Sequence, residues 1–211
     1  MTCCDHDGST PQADERYRRV LWAAFAVNLA MFLVEILAGI IAGSVSLRAD
    51  ALDFLADAAN YAIALAVVDL ARHWRARAAL LKGGVMGLFG LWIAASTISH
   101  AIAAAVPRAE LMGAIGLVAL AANLAVAGLL YRYRAVDSQA MSVWRCTRND
   151  CIANIAVLVA GAAVWVSGSP WPDIAVAAVI ASLGLSSAMR IIRQAQAELR
   201  GEPELLGAPA A

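Results

Sequence analysis

Charged residues are scarce in this chain, and neither sign of charge prevails. Asp, Glu, Lys and Arg make up 15% of the 211 residues, whereas soluble domains contain roughly 25%. Sixteen basic residues balance sixteen acidic ones, so no net charge attracts nucleic acid to the chain. Hydrophobic residues make up 62% of the sequence. This composition predicts a membrane protein without a nucleic-acid partner.

Histidines, cysteines and catalytic motifs are also scarce. The three histidines and four cysteines form no His-Glu-x-x-His motif and no nucleophile–base pair, and no phosphate-binding loop is present, so we predict that the chain is not an enzyme. Adjacent Cys3 and Cys4 are poor disulfide partners, and Cys151 is best explained as a small apolar filler. The first apolar run, residues 20–41, is longer than the core of a secretory signal and predicts a retained membrane helix.

Long apolar runs occupy most of the chain. A spanning helix needs about 20 apolar residues, and six such runs are present: 20–42, 45–70, 83–106, 111–131, 143–166 and 172–192. The polar segments between them are too short to form a soluble domain. The sequence therefore predicts an all-α, polytopic membrane protein, with a six-helix transmembrane domain at residues 20–192 and short tails at 1–19 and 193–211.

Basic residues alternate between the connections and so predict the orientation. The tails and loops on one side contain Arg16, Arg18, Arg19, Arg72, Arg75, Arg77, Lys82, Arg132, Arg134, Arg190, Arg193 and Arg200. The opposite loops contain only Arg48 and Arg108. Because basic loops remain in the cytoplasm, we expect both termini there. The pattern suits a multi-pass protein of a bacterial-type inner (plasma) membrane.

Acidic residues recur within the second apolar run, where their burial is costly. Asp50, Asp53, Asp57 and Asn60 follow the i, i+3, i+7, i+10 spacing of a single helix face. Asp53 and Asp57 lie one turn apart, and two carboxylates that close repel each other unless a cation or a proton lies between them. This pattern predicts a metal site. The alternative is an interior ion pair with an arginine such as Arg148.

A similar pattern occurs in the fifth run. Cys146, Asp150 and Asn154 are spaced at i, i+4 and i+8, so the first two repeat the spacing of Asp53 and Asp57. Two helices that each offer two ligands one turn apart can complete a tetrahedral site of the zinc type. A cysteine thiolate in this set favours zinc-like or softer ions over magnesium and calcium.

The depth of the fifth helix needs a further assumption. Asp57 lies near the middle of its apolar run, whereas Cys146 lies only about one turn after the start of its own run at residue 143. The two residues can meet at one depth if the fifth helix begins earlier, near Asp137. The alternative is a site displaced toward the cytoplasmic half of the membrane. We favour the earlier start.

Residues 43–53, with Gly43-Ser44 before Leu47, then Ala49-Asp50 and Asp53, resemble the second helix of the cation diffusion facilitator family. That family carries His or Asp, then Asp, then Ser or Asn in its fifth helix. Cys146, Asp150 and Asn154 match those positions in order. The resemblance implies six helices and export of zinc, cadmium, cobalt, manganese or iron from the cytoplasm, usually against inward proton flow.

On this resemblance the metal ligands are Asp53, Asp57, Cys146 and Asp150, and a divalent metal ion is the cargo rather than a cofactor. Protons, the lipid bilayer and a second copy in a homodimer are the implied partners. The chain departs from the family at three points. Histidine is absent from the ligand positions, the loop 132–142 has no histidine cluster, and we expect a truncated member without the C-terminal cytoplasmic domain. Zinc, cadmium, cobalt and mercury all remain open as cargo.

Three other polar residues of the helices are predicted to support the site. Asp50, Asn154 and Glu35 would either hold the ligands in place or carry protons. The alternatives are an interfacial position for Asp50, an interhelical hydrogen bond for Asn154, and pairing of Glu35 with Asn28 or His100.

The N-terminal tail contains Cys3, Cys4 and His6, which we interpret as a possible cytoplasmic metal-binding segment. The alternative is an ordinary disordered start. For the whole chain, the rival to transport is a membrane metal sensor, or a subunit that regulates another transporter without transport of its own.

Overall fold

The computed structural model describes residues 11–67, 72–132 and 138–200, which are almost entirely helical. The helices are α1 (Pro11–Ala42), α2 (Val45–Val67), α3 (Arg72–Ala103), α4 (Ala109–Tyr131), α5 (Ser138–Ser167) and α6 (Trp171–Arg200). These ranges contain no strand, and five of their helices are long and apolar enough to cross a membrane. The predicted all-α membrane bundle is therefore confirmed.

The remaining helix, α2, carries the acidic residues. Its 23 residues extend over roughly 35 Å, which is enough to span a bilayer, but Arg48, Asp50, Asp53 and Asp57 interrupt its apolar sequence. α2 packs against α1, α3, α5 and α6. This central position shields the charged side chains of α2 from lipid, so that Asp50 is fully buried and Asp57 is only 8% exposed.

Several helices extend beyond the apolar runs that predict them. α5 begins at Ser138, about two turns before Cys146, which confirms the earlier start expected for this helix. α3 begins at Arg72, so Lys82 lies within a helix, although the charge pattern places it in a loop. α6 continues to Arg200. The helices therefore carry basic residues at their ends, and Lys82 lies closer to the bundle interior than the sequence suggests.

The turn between α1 and α2 positions the acidic helix. Gly43 adopts a positive φ of 67°, which glycine tolerates because it has no Cβ. The amide of Gly43 donates to the Ile40 carbonyl and that of Ser44 to the Gly39 carbonyl, as in a Schellman motif. α2 then starts at once, because the Ser44 hydroxyl accepts a hydrogen bond from the Leu47 amide at 3.2 Å and so caps the new helix.

Asp173, in the first turn of α6, completes this cap from another part of the chain. Its carboxylate accepts hydrogen bonds from the amides of Val45 at 2.8 Å and Ser46 at 3.0 Å, and from the Ser44 hydroxyl at 2.7 Å. The first amides of a helix have no partner within that helix. Asp173 satisfies two of them and thereby attaches the start of α2 to the start of α6.

Close packing between α2 and the α3–α6 pair depends on small residues. Leu52 of α2 is fully buried and lies against Gly184 of α6 and Gly90 of α3. A Cβ atom added to Gly184 would lie 2.9 Å from Leu52 Cδ2. Small residues at such positions allow membrane helices to approach closely. Leu52 lies between Asp50 and Asp53 in the sequence, so this contact also fixes the rotation of the acidic face.

The outer surface of the bundle is apolar. Large hydrophobic side chains are exposed on five helices, among them Leu37, Leu88, Ile102, Leu117, Trp165 and Leu183. An apolar surface of this extent would be a liability in water. It suits contact with the hydrocarbon core of a bilayer.

Candidate metal centre

The fold brings acidic residues of α2 and α5 together inside the bundle. The carboxyl groups of Asp57 and Asp150 lie within hydrogen-bonding reach of each other, and the charge of Asp53 also acts on Asp150. Asp53 and Asp150 are partly buried, and Asp57 is buried. The structure therefore places Asp150 of α5 beside Asp57 of α2, whereas the predicted set of four ligands stays a prediction.

Among the described side chains, few hydrogen-bond donors contact these carboxylates. The Tyr61 hydroxyl donates to Asp57 Oδ2 at 3.5 Å, and the Asn60 side chain also contacts the Asp57 carboxylate. Asp150 Oδ2 is buried and has no hydrogen-bond partner among the described residues. A buried polar atom without a partner calls for an explanation, and either a cation or a shared proton between the two carboxylates would provide one.

The structure does not test the predicted ligand Cys146. It lies one turn before Asp150 on α5, but its side chain falls outside the described part of the structure. The same is true of Arg148, the arginine that could pair with the acids. Among the side chains that are described, no three carboxylate, thiol or imidazole groups are arranged to hold one metal ion. The four-ligand set stays a prediction.

A chain of buried polar groups lies one turn away from these acids, toward the start of α2. Asn154 Nδ2 donates to Asp50 Oδ2 at 2.6 Å, and Asn123 Nδ2 donates to Asn154 Oδ1 at 3.0 Å. Asp50, Asn123 and Asn154 are each at most 2% exposed. The chain links α2, α5 and α4. Asp50 is therefore not an interfacial residue, and Asn123 is a polar residue of the site region that the sequence analysis did not identify.

Glu35 of α1 joins this chain at Asp50. The Glu35 side chain is fully buried, and its carboxyl group lies within hydrogen-bonding reach of that of Asp50. Within the described residues, neither Glu35 oxygen receives a hydrogen bond from an N–H or hydroxyl group. The alternative, a pairing of Glu35 with Asn28 or His100, is not found among the described residues. Asn28 donates to the Ala24 carbonyl of its own helix, and His100 lies beside Arg48.

Lys82 is a second residue that the sequence analysis did not place near the site. Its Nζ atom donates to Asn60 Oδ1, and its charge acts on Asp57. The only sequence signal for this position is the helical continuity of residues 72–103, which the charges of Arg72, Arg75 and Arg77 obscure.

At the opposite end of α2, Arg48 lies apart from the acidic cluster. Its Nε donates to the Ser44 carbonyl at 3.0 Å, and its guanidinium group lies 3.0 Å from His100 Nε2 and 5.9 Å from the centre of the Trp92 ring. Arg48 therefore links α2 to α3 and does not neutralise Asp53 or Asp57. This leaves the carboxylates of α2 without a direct arginine partner among the described side chains.

Two of the sequence predictions concern residues at the chain ends. Cys3, Cys4 and His6 lie outside the described residues, which begin at residue 11, and so do residues 201–211 of the C-terminal tail. The possible metal-binding role of the N-terminal tail stays a prediction.

Residues 21–199 match the family model described as the cation efflux transmembrane domain. The match covers α2 and α5, which carry the acidic residues, and all of the helices that pack around them. It therefore covers most of the chain.

Proposed function

The chain belongs to the cation efflux family, and we propose that it carries divalent heavy-metal ions of the zinc, cadmium or cobalt type out of the cytoplasm. The main support is the approach of Asp57 on α2 to Asp150 on α5 within an apolar bundle. Two membrane-embedded carboxylates at one point are costly unless a cation compensates them. A transported ion would do so while it is bound.

Asp53, Asp57, Cys146 and Asp150 are the proposed ligands. Each helix contributes two of them one turn apart, which suits a four-coordinate ion held between α2 and α5. The thiolate favours zinc, cadmium or cobalt over hard ions such as magnesium. The metal ion is the cargo in this proposal, and no cofactor is required.

Transport would proceed by exposing this site to each side of the membrane in turn. The ion enters from the cytoplasm, and the helix pairs then rock against one another to open the site outward. The interhelical contacts are compatible with this motion, because α3 packs mainly on α6, α1 on α2, and α4 on α5. α2, which touches both α3 and α6, would transmit the movement to the ligands.

Returning protons would displace the ion, and Glu35 with Asp50 would carry them. One proton between these facing carboxyl groups satisfies both, whereas two charged carboxylates would repel. The charges of Asp50 and Asp53 both act on Glu35. Binding of a metal ion to Asp53 would therefore change how readily Glu35 holds a proton. The hydrogen bond from Asn154 links the same pair to α5.

The basic residues at one end of the bundle support an orientation with both termini in the cytoplasm of a bacterial-type cell. The short connections support it as well, because six helices that reverse direction at each turn return the chain to its starting side. A homodimer, which the family resemblance implies, stays a prediction.

Metal flux into liposomes that contain only the purified chain tests this function. The unaltered protein should accumulate zinc, cadmium or cobalt when a proton gradient of opposite direction is imposed. Asp150→Asn should reduce the flux to that of protein-free liposomes. Glu110→Gln, which removes an exposed carboxylate at the start of α4, is the matched control and should retain it.

The same measurement separates transport from the rival function. A chain that binds the metals but shows no flux under any gradient would be a sensor or a regulatory subunit. Full flux in Asp150→Asn would show that the proposed ligand assignment is wrong.

A further inference from the structure

Lys82 of α3 directs its ammonium group toward the polar face of α2. The Nζ atom donates a hydrogen bond to Asn60 Oδ1. Asn60 lies three residues after Asp57, on the helix face that carries the acidic residues. Lys82 is partly buried and Asn60 is exposed, so the contact lies at the rim of the acidic cluster.

Asn60 connects this ammonium group to the metal centre. Its side chain contacts the Asp57 carboxylate, and Lys82 acts on the same carboxylate through its charge. An asparagine can accept from one group and donate to another. The order Lys82, Asn60, Asp57 therefore joins a positive charge on α3 to a carboxylate on α2.

The positive charge of Lys82 lies beside the proposed site for a divalent cation, and it has two opposite effects there. A lysine at this position repels an incoming cation, because like charges repel. In the empty site, however, the same charge compensates the carboxylate of Asp57, which otherwise faces that of Asp150. The ammonium group and a metal ion thus compete for the same negative charge.

We propose that Lys82 is a tethered counter-ion of the empty site, which a divalent cation must displace in order to bind. This inference rests on the proposed function and adds to it a means of selecting divalent over monovalent cations. A divalent ion interacts with the carboxylates twice as strongly as a monovalent ion at the same distance. Sodium and potassium therefore cannot displace Lys82 as readily, and the site favours divalent cations.

The displacement also has a structural consequence. The Lys82–Asn60 hydrogen bond is a polar link between α3 and α2 at the end where α2 finishes and α3 begins. Metal binding would break this link and loosen α3 from α2 at that end. Release of the ion would restore it, so that the position of α3 would follow the occupancy of the site.

Calorimetric titration of zinc or cadmium into the purified full chain tests the inference. Lys82→Gln retains a hydrogen-bond donor for Asn60 but removes the charge, and Lys82→Met removes both. Both variants should bind the metal about tenfold more tightly than the unaltered chain, and should release it more slowly. A purely structural role predicts weaker binding, so tighter binding is specific to the charge.

Two controls complete the experiment. Lys82→Arg keeps the positive charge and should retain the original affinity. Arg77→Gln removes a positive charge from the same helix, where the guanidinium group lies 4.9 Å from the centre of the exposed Trp74 ring, and it should leave the affinity unchanged.

Unchanged or weaker binding in both Lys82→Gln and Lys82→Met would overturn the counter-ion role, provided that the unaltered chain binds metal. Absence of metal binding by the unaltered chain would instead overturn the proposed function together with this inference. The two failures are therefore distinguishable within one set of titrations.

Discussion

Asp173 and Ser44 are joined by a hydrogen bond of 2.7 Å between the start of α6 and the turn that precedes α2. The two residues are far apart in the sequence, yet both are almost completely buried. The same Asp173 carboxylate also accepts hydrogen bonds from the amides of Val45 and Ser46. The position of the acidic helix α2 thus depends on a residue of α6.

We expect Asp173→Ala to destabilise the protein, because it leaves the buried amides of Val45 and Ser46 without their acceptor and removes one partner of the Ser44 hydroxyl. Each lost partner of this kind costs about 1–3 kcal/mol, which corresponds to a decrease of at least about 5 °C in the unfolding midpoint. Thermal unfolding of the detergent-solubilised protein measures the change. Glu110→Ala, at an exposed acid in the first turn of α4, should shift the midpoint little.

Gly39→Ala should also destabilise the bundle, because α1 and α2 leave no room for a methyl group there. The added Cβ atom would lie 2.7 Å from Arg48 Cγ and 3.1 Å from the Arg48 backbone nitrogen. Overpacking of this kind costs about 1–3 kcal/mol. Gly113→Ala, where no atom lies within 4 Å of the added Cβ, should be neutral or stabilising. Equal unfolding midpoints for the two variants would contradict this packing.

Glu35→Gln should uncouple metal transport from protons. Glutamine has the shape of a protonated glutamate but cannot release a proton, so metal binding should change by no more than about twofold. A proton gradient should stimulate metal flux in liposomes that contain the unaltered chain, and should have no effect on the variant. Continued stimulation of Glu35→Gln would assign the proton to another group.

Cys146→Ser should change the choice of metal. Replacement of a soft thiolate by a hydroxyl group weakens cadmium binding by about tenfold or more, whereas binding of a harder ion such as manganese should change less. Titration of both metals into the unaltered protein and the variant gives the ratio. Cys151→Ser, on a different face of α5, is the matched control. Unchanged cadmium affinity in Cys146→Ser would show that Cys146 is not a ligand.

The spacing of residues along the chain was sufficient to predict several features. Apolar runs of membrane-spanning length predict the helices, since backbone groups in lipid must be satisfied within each segment. The i, i+3, i+7 spacing of Asp50, Asp53 and Asp57 predicts one acidic face on α2. The matching spacing of Cys146 and Asp150 predicts that α5 is the helix that faces the acidic residues of α2. The structure places Asp150 beside Asp57.

Periodicity defines a helix face, but it does not state which neighbour that face meets. Glu35 could have paired with several polar residues, and the packing of α1 against α2 selects Asp50. Lys82 lies near the acidic residues of α2 because α3 begins before its apolar run, and Asp173 caps α2 because α6 packs beside it. Contacts between residues distant in sequence depend on how helices rotate and pack, and this is decided by the fit of side chains such as Leu52 against Gly184.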